Sequence, residues 1–363
     1  MTRILLAGGG TGGHVFPLLA VAERLRELAP ESVLTFVGTE RGLEARLVPE
    51  RGYPLELVRV APLRGGGVRG AASGALVAAR SLPAAFSLVR RLDPNVVLSI
   101  GGYAAGPVSI AAWARRVPLC LVEPNAAIGL SNRAVAPLVK RAYTAFEASA
   151  GHFPRAAVRR TGVPIRAGFR PTALPSGTEL RVLVLGGSQG AASLNDAVPR
   201  AIAASRGALR VLHQCGAGRD GAVRELYASL GLGGRAEVVP FLDDMPAALA
   251  AAHLVIGRAG AGAVAEICAV GRPSLLVPYP FAGDHQRWNA AELVEAGAAT
   301  MITSAEATPE RLTAELDRLA GDRDRLEAMA RAARALGRPD AALEIARDVI
   351  ALAEGRESAG RMS

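Results

Sequence analysis

The residue best placed for acid–base chemistry near the start of the chain is His14, which closes the glycine-rich stretch "ILLAGGGTGGHVFP". An imidazole can accept a hydroxyl proton near neutral pH, so this histidine is a candidate general base. An apolar run precedes the glycines and an amphipathic segment follows them, which predicts a strand, a tight loop and a helix. The N–H groups of such a loop can approach an anion closely. A histidine here can also serve only for packing or helix capping.

The spacing G-x-G-x-x-G in this stretch also fits a dinucleotide oxidoreductase, which needs an acidic residue at the end of its second strand. Here "VLTFVGTERG" closes without one, and Glu40 already lies in the loop. Two further glycine loops, Gly101–Pro107 and Gly186–Ala191, also follow apolar runs. One cofactor fingerprint does not explain three loops, whereas tight strand–helix turns remain a structural alternative for all of them.

Two other motifs match enzyme signatures formally. "GGSQG" fits the nucleophile elbow of hydrolases with Ser188 as nucleophile, but it opens a second domain. We therefore favour Ser188 as a hydroxyl and N–H donor to a phosphate at a helix N-terminus. Asp322 and Asp324 form a D-x-D pattern, as in metal-dependent sugar transferases, but they lie in a charged, alanine-rich segment. That setting indicates a solvated helix face rather than a metal site.

The stretch Gly257–Ala290 holds the most informative polar residues. A strand ends at Arg258, and the helix that follows carries Glu266 in its first turns. A carboxylate there can accept both hydroxyls of a ribose, while the helix start binds a diphosphate. A proline-flanked loop then presents three polar side chains suited to sugar hydroxyls, Asp284, His285 and Gln286. A surface salt bridge and a solvated loop are the structural alternative.

Short Val/Leu/Ile runs alternate with helical patterns along almost all of the 363 residues. This alternation predicts an α/β fold with doubly wound parallel sheets. The rhythm stops at Ile165–Glu179 and then restarts with a second strand, glycine loop and helix. We predict two Rossmann-like domains, residues 1–165 and 166–339, that face each other across a cleft. A C-terminal helix, residues 340–357, is expected to join the first domain.

The formal net charge of +9 favours anionic partners such as phosphates or anionic lipid. No dense basic run interleaved with aromatics appears, so we expect no nucleic-acid partner. The three cysteines show no metal-ligand spacing and are expected to be reduced core residues. Arg80 and Pro83 interrupt the most apolar stretch, which is too broken to span a bilayer. The N-terminus leads directly into a strand, which predicts a protein without a signal peptide.

Nine motifs together resemble the MurG family of N-acetylglucosaminyltransferases, within glycosyltransferase family 28. They are "GGGTGGHVFP", "GGYAAGP", "EPNAAIGLSN", "TGVPIR", "GGSQGA..LN", "HQCG", "FLDDM", "GRAGAGAVAEI" and "DHQRWNA". The resemblance extends over roughly residues 2 to 350, in the order and spacing of that family. It implies a GT-B fold and an inverting transfer that needs no metal and no cofactor.

The resemblance implies a donor, an acceptor and a set of site residues. The donor is UDP-N-acetylglucosamine, and the acceptor is undecaprenyl-diphospho-N-acetylmuramoyl-pentapeptide. By matching position, the N-terminal domain contributes Thr11, Gly12, Gly13 and Asn125, with His14 as candidate base for the acceptor 4-hydroxyl. The donor would contact Arg166, Ser188, Gln189, Leu242, Arg258, Ala261, Gly262, Ala263, Val264, Ala265, Glu266 and Gln286. Leu242 would hold the uracil through its backbone, and Gln286 the sugar.

The chain departs from the family pattern at Val122, Pro124, Ala259 and Val163. A related transferase with another acceptor, a UDP-sugar epimerase and a non-catalytic nucleotide-sugar-binding protein therefore remain alternatives. Because the undecaprenyl acceptor stays in the bilayer, we expect a peripheral protein on the cytoplasmic side of the plasma membrane. The segment Leu63–Leu92 is the predicted anionic-membrane surface, which Trp113, Arg115 and Arg116 would extend. It combines apolar and basic residues, namely Leu76, Leu82, Phe86 and Leu88 with Arg64, Arg69, Arg80, Arg90 and Arg91. Helices that only cover the sheet of the first domain are the structural alternative.

Overall fold

The computed structural model describes residues 1–58, 68–102, 104–154, 156–177, 179–187, 190–280 and 284–356, with the backbone alone for residues 68–79. The chain divides into two compact units. Unit 1 comprises Met1–Ala167 and Asp340–Ser363, and unit 2 comprises Gly168–Pro339. Each unit is built around one parallel sheet.

Unit 1 contains a seven-stranded sheet of order β3-β2-β1-β4-β5-β6-β7. Its central strand β1 pairs on both sides, so that Leu5 lies opposite Thr35 and Val97. The carboxyl ends of parallel strands meet at one edge, which brings the loops after β1, β4 and β5 together. The strands are β1 (Arg3–Gly8), β2 (Val33–Gly38), β3 (Leu55–Leu57), β4 (Val96–Gly101), β5 (Leu119–Glu123), β6 (Arg141–Thr144) and β7 (Ala157–Arg160).

Helices cover both faces of this sheet. Alternate residues of β1 point to opposite faces, so each face contributes to its own apolar core. Ile4 and Leu6 belong to one apolar core, while Leu5 and Ala7 belong to the other. The helices are α1 (Gly12–Leu28), α2 (Glu44–Glu50), α3 (Val68–Leu92), α4 (Ala105–Ala114), α5 (Leu130–Val135), α6 (Glu147–Ala150) and α14 (Ala341–Ala353), with a 3-10 turn at Ala136–Leu138.

Helix α14 belongs to the first core although it follows unit 2 in the chain. Its apolar face contributes Ile345 and Val349 beside α1. Asp348 on the same helix is 3% exposed and accepts a hydrogen bond from the Tyr143 hydroxyl at 2.8 Å. The same carboxylate forms ion pairs with Arg141 at 2.9 Å and Arg159 at 3.2 Å. A buried polar cluster thus fixes α14 to the β6–β7 edge of the sheet.

Unit 2 contains a six-stranded sheet of order β10-β9-β8-β11-β12-β13. Its strands are β8 (Leu180–Leu185), β9 (Leu209–Gln214), β10 (Ala236–Val239), β11 (Leu254–Gly257), β12 (Ser274–Leu276) and β13 (Ala299–Met301). Its helices are α7 (Ala192–Ala204), α8 (Asp220–Ser229), α9 (Met245–Ala251), α10 (Ala261–Val270), α11 (His285–Glu295), α12 (Pro309–Ala320) and α13 (Arg323–Leu336). One apolar core joins β8, β9 and β11 to α7 and α12.

The predicted fold class is confirmed: the chain is α/β, with two doubly wound parallel sheets. Four strands were not predicted because none of them contains a continuous Val/Leu/Ile run, namely β3, β6, β7 and β13. The predicted helix 340–357 ends earlier, at Ala353, and Gly355 with φ of +70° follows it. The three cysteines are buried and form no disulfide bond.

Candidate active site

The first glycine loop connects β1 to α1, and it places the predicted Thr11, Gly12 and Gly13 at the N-terminus of that helix. Thr11 is the N-cap, in extended conformation, and its side chain makes no cap hydrogen bond. The helix start is therefore not capped by its own side chain, and its N–H groups point out of the helix. Such a terminus attracts negative charge or hydroxyl oxygens.

His14 is the third residue of α1 and folds back onto the loop. Its Nδ1 lies 3.1 Å from the Gly9 carbonyl oxygen and 3.4 Å from the Thr11 hydroxyl. Because a carbonyl only accepts, we assign the proton to Nδ1, which leaves Nε2 as the basic nitrogen. Burial lowers the pKa of His14, and the Gly9 hydrogen bond and the charge of Glu44 oppose that shift. A lowered pKa keeps the imidazole neutral near pH 7, as a general base requires.

Glu44 braces this loop from the start of α2. Its side chain is 1% exposed, and its carboxylate accepts hydrogen bonds from Gly10 N at 2.7 Å, Thr39 N at 2.8 Å and the Thr39 hydroxyl at 2.9 Å. The carboxylate therefore joins the end of β2 to the loop after β1.

A second buried carboxylate, Glu123, organises the loop that carries Asn125. It accepts from Asn125 N at 3.0 Å, Gly129 N at 3.3 Å and Asn132 Nδ2 at 2.8 Å. Burial raises the pKa of Glu123, and these hydrogen bonds oppose the shift. The same Asn132 donates to the Ile100 carbonyl at 3.3 Å. Asn125 is thus tied to the end of β4.

The glycine loop after β4 packs directly against the first loop. A Cβ on Gly102, whose φ is +92°, would lie 2.6 Å from the Gly9 carbonyl oxygen. Only glycine fits this approach, because both the conformation and the space exclude a side chain. The structure thus brings together the loops after β1, β4 and β5. These loops and the first turn of α1 carry the predicted Thr11, Gly12, Gly13, His14 and Asn125.

The glycine loop after β8, Gly186–Ala191, is called here the second glycine loop because it follows the first strand of unit 2. The predicted Ser188 and Gln189 lie outside the described residues. The start of the loop is held by the carboxamide of Gln214, which is 4% exposed. Its oxygen accepts from Gly187 N at 3.1 Å, while its nitrogen donates to the carbonyls of Gly187 at 3.0 Å and Pro240 at 3.1 Å. The side chain therefore links this loop to the segment that contains Leu242.

Arg258 follows β11 directly and joins several loops of unit 2. Its guanidinium donates to the Val277 carbonyl at 2.9 Å, the Ser304 hydroxyl at 2.7 Å and the Ser193 hydroxyl at 2.9 Å. Ser193 lies in the first turn of α7, which follows the second glycine loop. Burial lowers the pKa of Arg258. Its hydrogen-bond partners among the described residues are neutral, so its positive charge is not cancelled by a carboxylate there.

Helix α10 carries the predicted diphosphate and ribose residues. Its N-cap is Gly260, which has no side chain to cap the helix, so the first N–H groups lie open at the N-terminus. Glu266 lies in the second turn and is half-buried. Six of the predicted donor residues lie on this helix: Ala261, Gly262, Ala263, Val264, Ala265 and Glu266.

Gln286 lies in the first turn of α11, and its amide oxygen accepts from Ala259 N at 3.1 Å and Tyr279 N at 3.0 Å. The expectation of a loop at Asp284–Gln286 is wrong in part, because α11 begins at His285 with Asp284 as its N-cap. Leu242 lies half-buried between β10 and α9. Arg166 is exposed and belongs to unit 1, next to the connection.

The D-x-D pattern has a structural explanation. The carboxylate of Asp322 accepts a hydrogen bond from Arg325 N at 2.9 Å and is the N-cap of α13. Asp324 lies in the first turn of the same helix, where a negative charge is favourable. These two acids stabilise a helix start, as the solvated-helix interpretation predicts.

Helix α3 carries the described part of the predicted membrane surface. Leu63 and Arg64 lie outside the described residues, as do the side chains of Arg69 and Leu76. Leu88 is 7% exposed and packs in the sheet core, so it does not belong to an exposed surface. Arg91 pairs with Glu56 at 2.9 Å. The exposed arginines and large apolar residues of this surface are Arg80, Phe86, Arg90 and Arg91, with Trp113, Arg115 and Arg116 on or just after α4.

Within the described residues, no helix is long and apolar enough to cross a membrane. Three buried side chains, each of which holds a different loop, were missed by sequence reasoning: Glu44, Glu123 and Gln214. The signal for Glu44 was its place just after the second strand, beside Gly38 and Gly42, where a carboxylate can reach back to the first loop. Glu123 and Gln214 each end a buried strand, which is an unusual place for an uncompensated polar group.

Two family models match the chain. Residues 4–144 match the glycosyltransferase family 28 N-terminal domain, and residues 181–345 match the glycosyltransferase family 28 C-terminal domain. A protein from Sorangium cellulosum (strain So ce56) is 54% identical over 97% of this chain and 89% of its own length. It is named UDP-N-acetylglucosamine--N-acetylmuramyl-(pentapeptide) pyrophosphoryl-undecaprenol N-acetylglucosamine transferase. A protein of the same name from Anaeromyxobacter dehalogenans (strain 2CP-1 / ATCC BAA-258) is 44% identical over 95% of this chain and 91% of its own.

Solved structures give the same picture. The crystal structure of Acinetobacter baumannii MurG is 31% identical, with a TM-score of 0.80 over 96% of this chain and 99% of that chain. A putative UDP-N-acetylglucosamine 2-epimerase from Listeria monocytogenes is 16% identical, with a TM-score of 0.68 over 99% of both chains. At that identity the epimerase shows a shared fold alone.

Proposed function

Since the chain belongs to glycosyltransferase family 28, we propose that it transfers N-acetylglucosamine from UDP-N-acetylglucosamine to the 4-hydroxyl of undecaprenyl-diphospho-N-acetylmuramoyl-pentapeptide. This is the conversion of lipid I to lipid II in peptidoglycan synthesis. The observation that carries the proposal is the 54% identity to a relative of that name over nearly the whole chain. The enzyme is a UDP-N-acetylglucosamine-dependent hexosyltransferase.

The donor would be held chiefly by unit 2. The N-terminus of α10, capped only by Gly260, meets the charge of the departing UDP, and Arg258 adds positive charge nearby. Glu266 accepts the ribose hydroxyls. The oxygen of the Gln286 amide already accepts two backbone hydrogen bonds, so its NH2 group is the part that donates to the sugar. Further donor contacts come from Arg166, Ser188, Gln189 and the backbone of Leu242.

The acceptor would be held by unit 1 through Thr11, Gly12, Gly13 and Asn125. His14 Nε2 takes the proton of the 4-hydroxyl while that oxygen attacks the anomeric carbon of the sugar. The bond from this carbon to the UDP oxygen breaks, and UDP leaves with the electron pair. Attack opposite the leaving group inverts the anomeric configuration. The neutral imidazole, with its pKa lowered by burial, is in the form that this step needs.

The substrate requirement tests this function. Purified protein with UDP-N-acetylglucosamine should release UDP when lipid I is added, and should produce lipid II at the same rate. With the donor alone, neither UDP release nor epimerisation of the sugar is expected. Epimerisation without acceptor would support the epimerase alternative, and binding of UDP without turnover of lipid I would support a non-catalytic protein.

Transfer is proposed to proceed without a divalent cation, because helix N-termini and arginine supply the positive charge at the diphosphate. Full turnover is expected in excess EDTA. Loss of turnover in EDTA with recovery on adding Mg²⁺ or Mn²⁺ would contradict this proposal.

Attachment to an anionic membrane surface is proposed through the exposed part of α3 and the end of α4. Phe86 is 37% exposed and Trp113 is 53% exposed. The arginines around them are also exposed: Arg80, Arg90, Arg115 and Arg116. Each basic residue near an anionic leaflet contributes about 1 kcal/mol, so this group with two aromatics gives reversible attachment. The buried Leu88 instead anchors α3 to the sheet. The protein would then work as a peripheral protein on the cytoplasmic face of the plasma membrane.

Liposome co-sedimentation tests this attachment. Binding should require anionic lipid, weaken as salt rises and fall several-fold in Arg80→Glu/Arg90→Glu. The matched control is Arg325→Glu/Arg331→Glu on α13, which changes the net charge equally but lies in unit 2. Equal losses in both variants would show a general charge effect and place the membrane surface elsewhere.

A further inference from the structure

The carboxylate of Glu44 is buried beneath the first glycine loop without a cationic partner among the ion pairs of the described residues. It is instead surrounded by the three donors from Gly10 and Thr39. Taking an ionised carboxylate out of water is costly unless such donors compensate it. Because burying the carboxylate costs free energy of desolvation, we expect Glu44 to have a function that an apolar residue could not provide.

Three glycines make the space for this side chain. A Cβ built on Gly9, Gly38 or Gly42 would overlap the Glu44 side chain. None of the three has a positive φ, so their conformation does not require glycine. Their common feature is contact with Glu44 from the first loop, from the end of β2 and from the turn before α2. The sequence around the loop is thus fitted to the carboxylate.

A short chain of contacts leads from Glu44 to the imidazole. Glu44 holds Gly10 N at 2.7 Å, and the adjoining Gly9 carbonyl lies 3.1 Å from His14 Nδ1. Gly102 also packs against this part of the loop, since a Cβ there would lie 2.6 Å from the Gly9 carbonyl oxygen. The orientation of this peptide therefore decides where the His14 ring points.

We propose that Glu44 is a positioning residue for transfer: it fixes the Gly9–Gly10 peptide so that the Gly9 carbonyl holds His14 with Nε2 directed at the acceptor hydroxyl. The inference rests on the proposed function and on His14 as its base. Glu44 does not touch substrate, and it acts through the loop. It lies in unit 1, so the donor residues of unit 2 are not part of its action.

Glu44→Gln is the sharpest test because it keeps the shape of the side chain, changes one hydrogen bond and removes the negative charge. The amide oxygen can still accept from Thr39, but the amide NH2 then faces Gly10 N, donor against donor. We expect kcat to fall at least tenfold while the donor KM and the calorimetric UDP affinity stay within twofold. Glu44→Asp, which retains the carboxylate, should recover part of the loss. Glu50→Gln, an exposed position on the same helix, is the matched control and should leave kcat unchanged.

A double-mutant cycle with His14→Ala separates positioning from general damage. If Glu44 acts through His14, Glu44→Gln should lower kcat less than threefold in the His14→Ala background. An equal fall in both backgrounds, or an unchanged kcat in Glu44→Gln, would overturn the proposal. Near-normal kcat in His14→Ala alone would instead contradict the proposed base. Should Glu44→Gln fail to fold, Thr39→Val keeps the carboxylate and its Gly10 bond but removes one donor, and it should give a smaller kcat loss of the same kind. An unchanged kcat in Thr39→Val would then overturn the proposal.

Discussion

Two of the glycine loops follow the first strand of a unit, β1 in unit 1 and β8 in unit 2. Different side chains hold these two loops in place. Glu44 holds the first loop with an ionisable carboxylate, which only accepts hydrogen bonds. Gln214 holds the second with a neutral carboxamide, which accepts from Gly187 N and donates to two carbonyls. Both braces are buried, so their difference in charge is felt by whatever the loops bind.

This difference matches the groups that the two loops would face at the proposed site. The donor brings a diphosphate to unit 2, where a buried negative charge under the loop would repel it. The acceptor presents a neutral hydroxyl to unit 1, where a nearby negative charge opposes the lowering of the His14 pKa and favours proton uptake. The first loop should therefore govern kcat, and the second should govern donor binding.

The largest expected effect separates the two loops at His14. Loss of a general base typically lowers the rate about 10²–10⁴-fold, so His14→Ala should lower kcat in that range. UDP affinity, measured by calorimetry, should stay near the unaltered value because the proposed donor residues other than Arg166 lie in unit 2. His152→Ala, an exposed histidine of the same unit, is the control. A His14→Ala enzyme with near-normal kcat would reduce His14 to a packing residue.

The next effect belongs to donor binding. Glu266→Ala removes a hydrogen-bonded charged group from the proposed ribose site and should weaken donor use by about 1.5–3 kcal/mol. The change should appear in the donor KM and in UDP affinity, while Glu295→Ala near the end of α11 should have no effect. Unchanged kinetic constants in Glu266→Ala would remove Glu266 from the site.

Exchanging the brace tests the charge argument directly. Gln214→Glu places a carboxylate under the second loop and should weaken UDP binding on the order of tenfold. Uridine has no diphosphate, so its affinity should change much less, and the ratio of the two affinities isolates repulsion from loss of structure. Equal losses for UDP and uridine would show that the substitution only disturbs the loop.

The smallest expected effect on activity at neutral pH concerns His213, the residue before Gln214. Its main effect is on stability at lower pH. His213 bonds to the Tyr227 hydroxyl at 3.0 Å and to Asn195 Oδ1 at 3.1 Å, and burial lowers its pKa from 6.5 to about 4. Between these values the unfolded chain binds more protons, so stability is lost as the pH falls below about 6.5. The free energy of unfolding should drop about 2 kcal/mol by pH 5 from this group. Urea unfolding should show less of this drop in His213→Gln; an identical pH dependence would contradict the assignment.

The parallel strands were predictable because buried Val/Leu/Ile runs such as those of β1 and β8 have few other uses. The short strand Arg141–Thr144 was not, since its pairing depends on β5 and β7 rather than on its own residues. The positions of the glycine loops at the strand ends also followed from the sequence, whereas their role as the substrate site remains a proposal. The assignment of individual binding residues remains a proposal.

The side-chain hydrogen bonds that hold those loops could not be predicted from the sequence. Glu44 reaches Gly10 across 34 positions, and Gln214 reaches Gly187 across 27. Such contacts depend on strand order and on the space left by glycines elsewhere, which no local pattern encodes. Likewise Leu88 looked like part of a surface because the helical pattern alone does not say which side of α3 meets the sheet.

The return of α14 to unit 1 sets an order on biosynthesis. The whole of unit 2 is translated before residues 341–353 leave the ribosome, so it can complete its sheet while unit 1 still lacks a helix. During that interval, the surface that α14 will cover, beside α1 and next to Tyr143, has no partner. A nascent unit 1 thus exposes an apolar groove until late in synthesis. A chaperone that recognises apolar surface should therefore bind stalled chains ending before residue 340 more strongly than chains extending past 353.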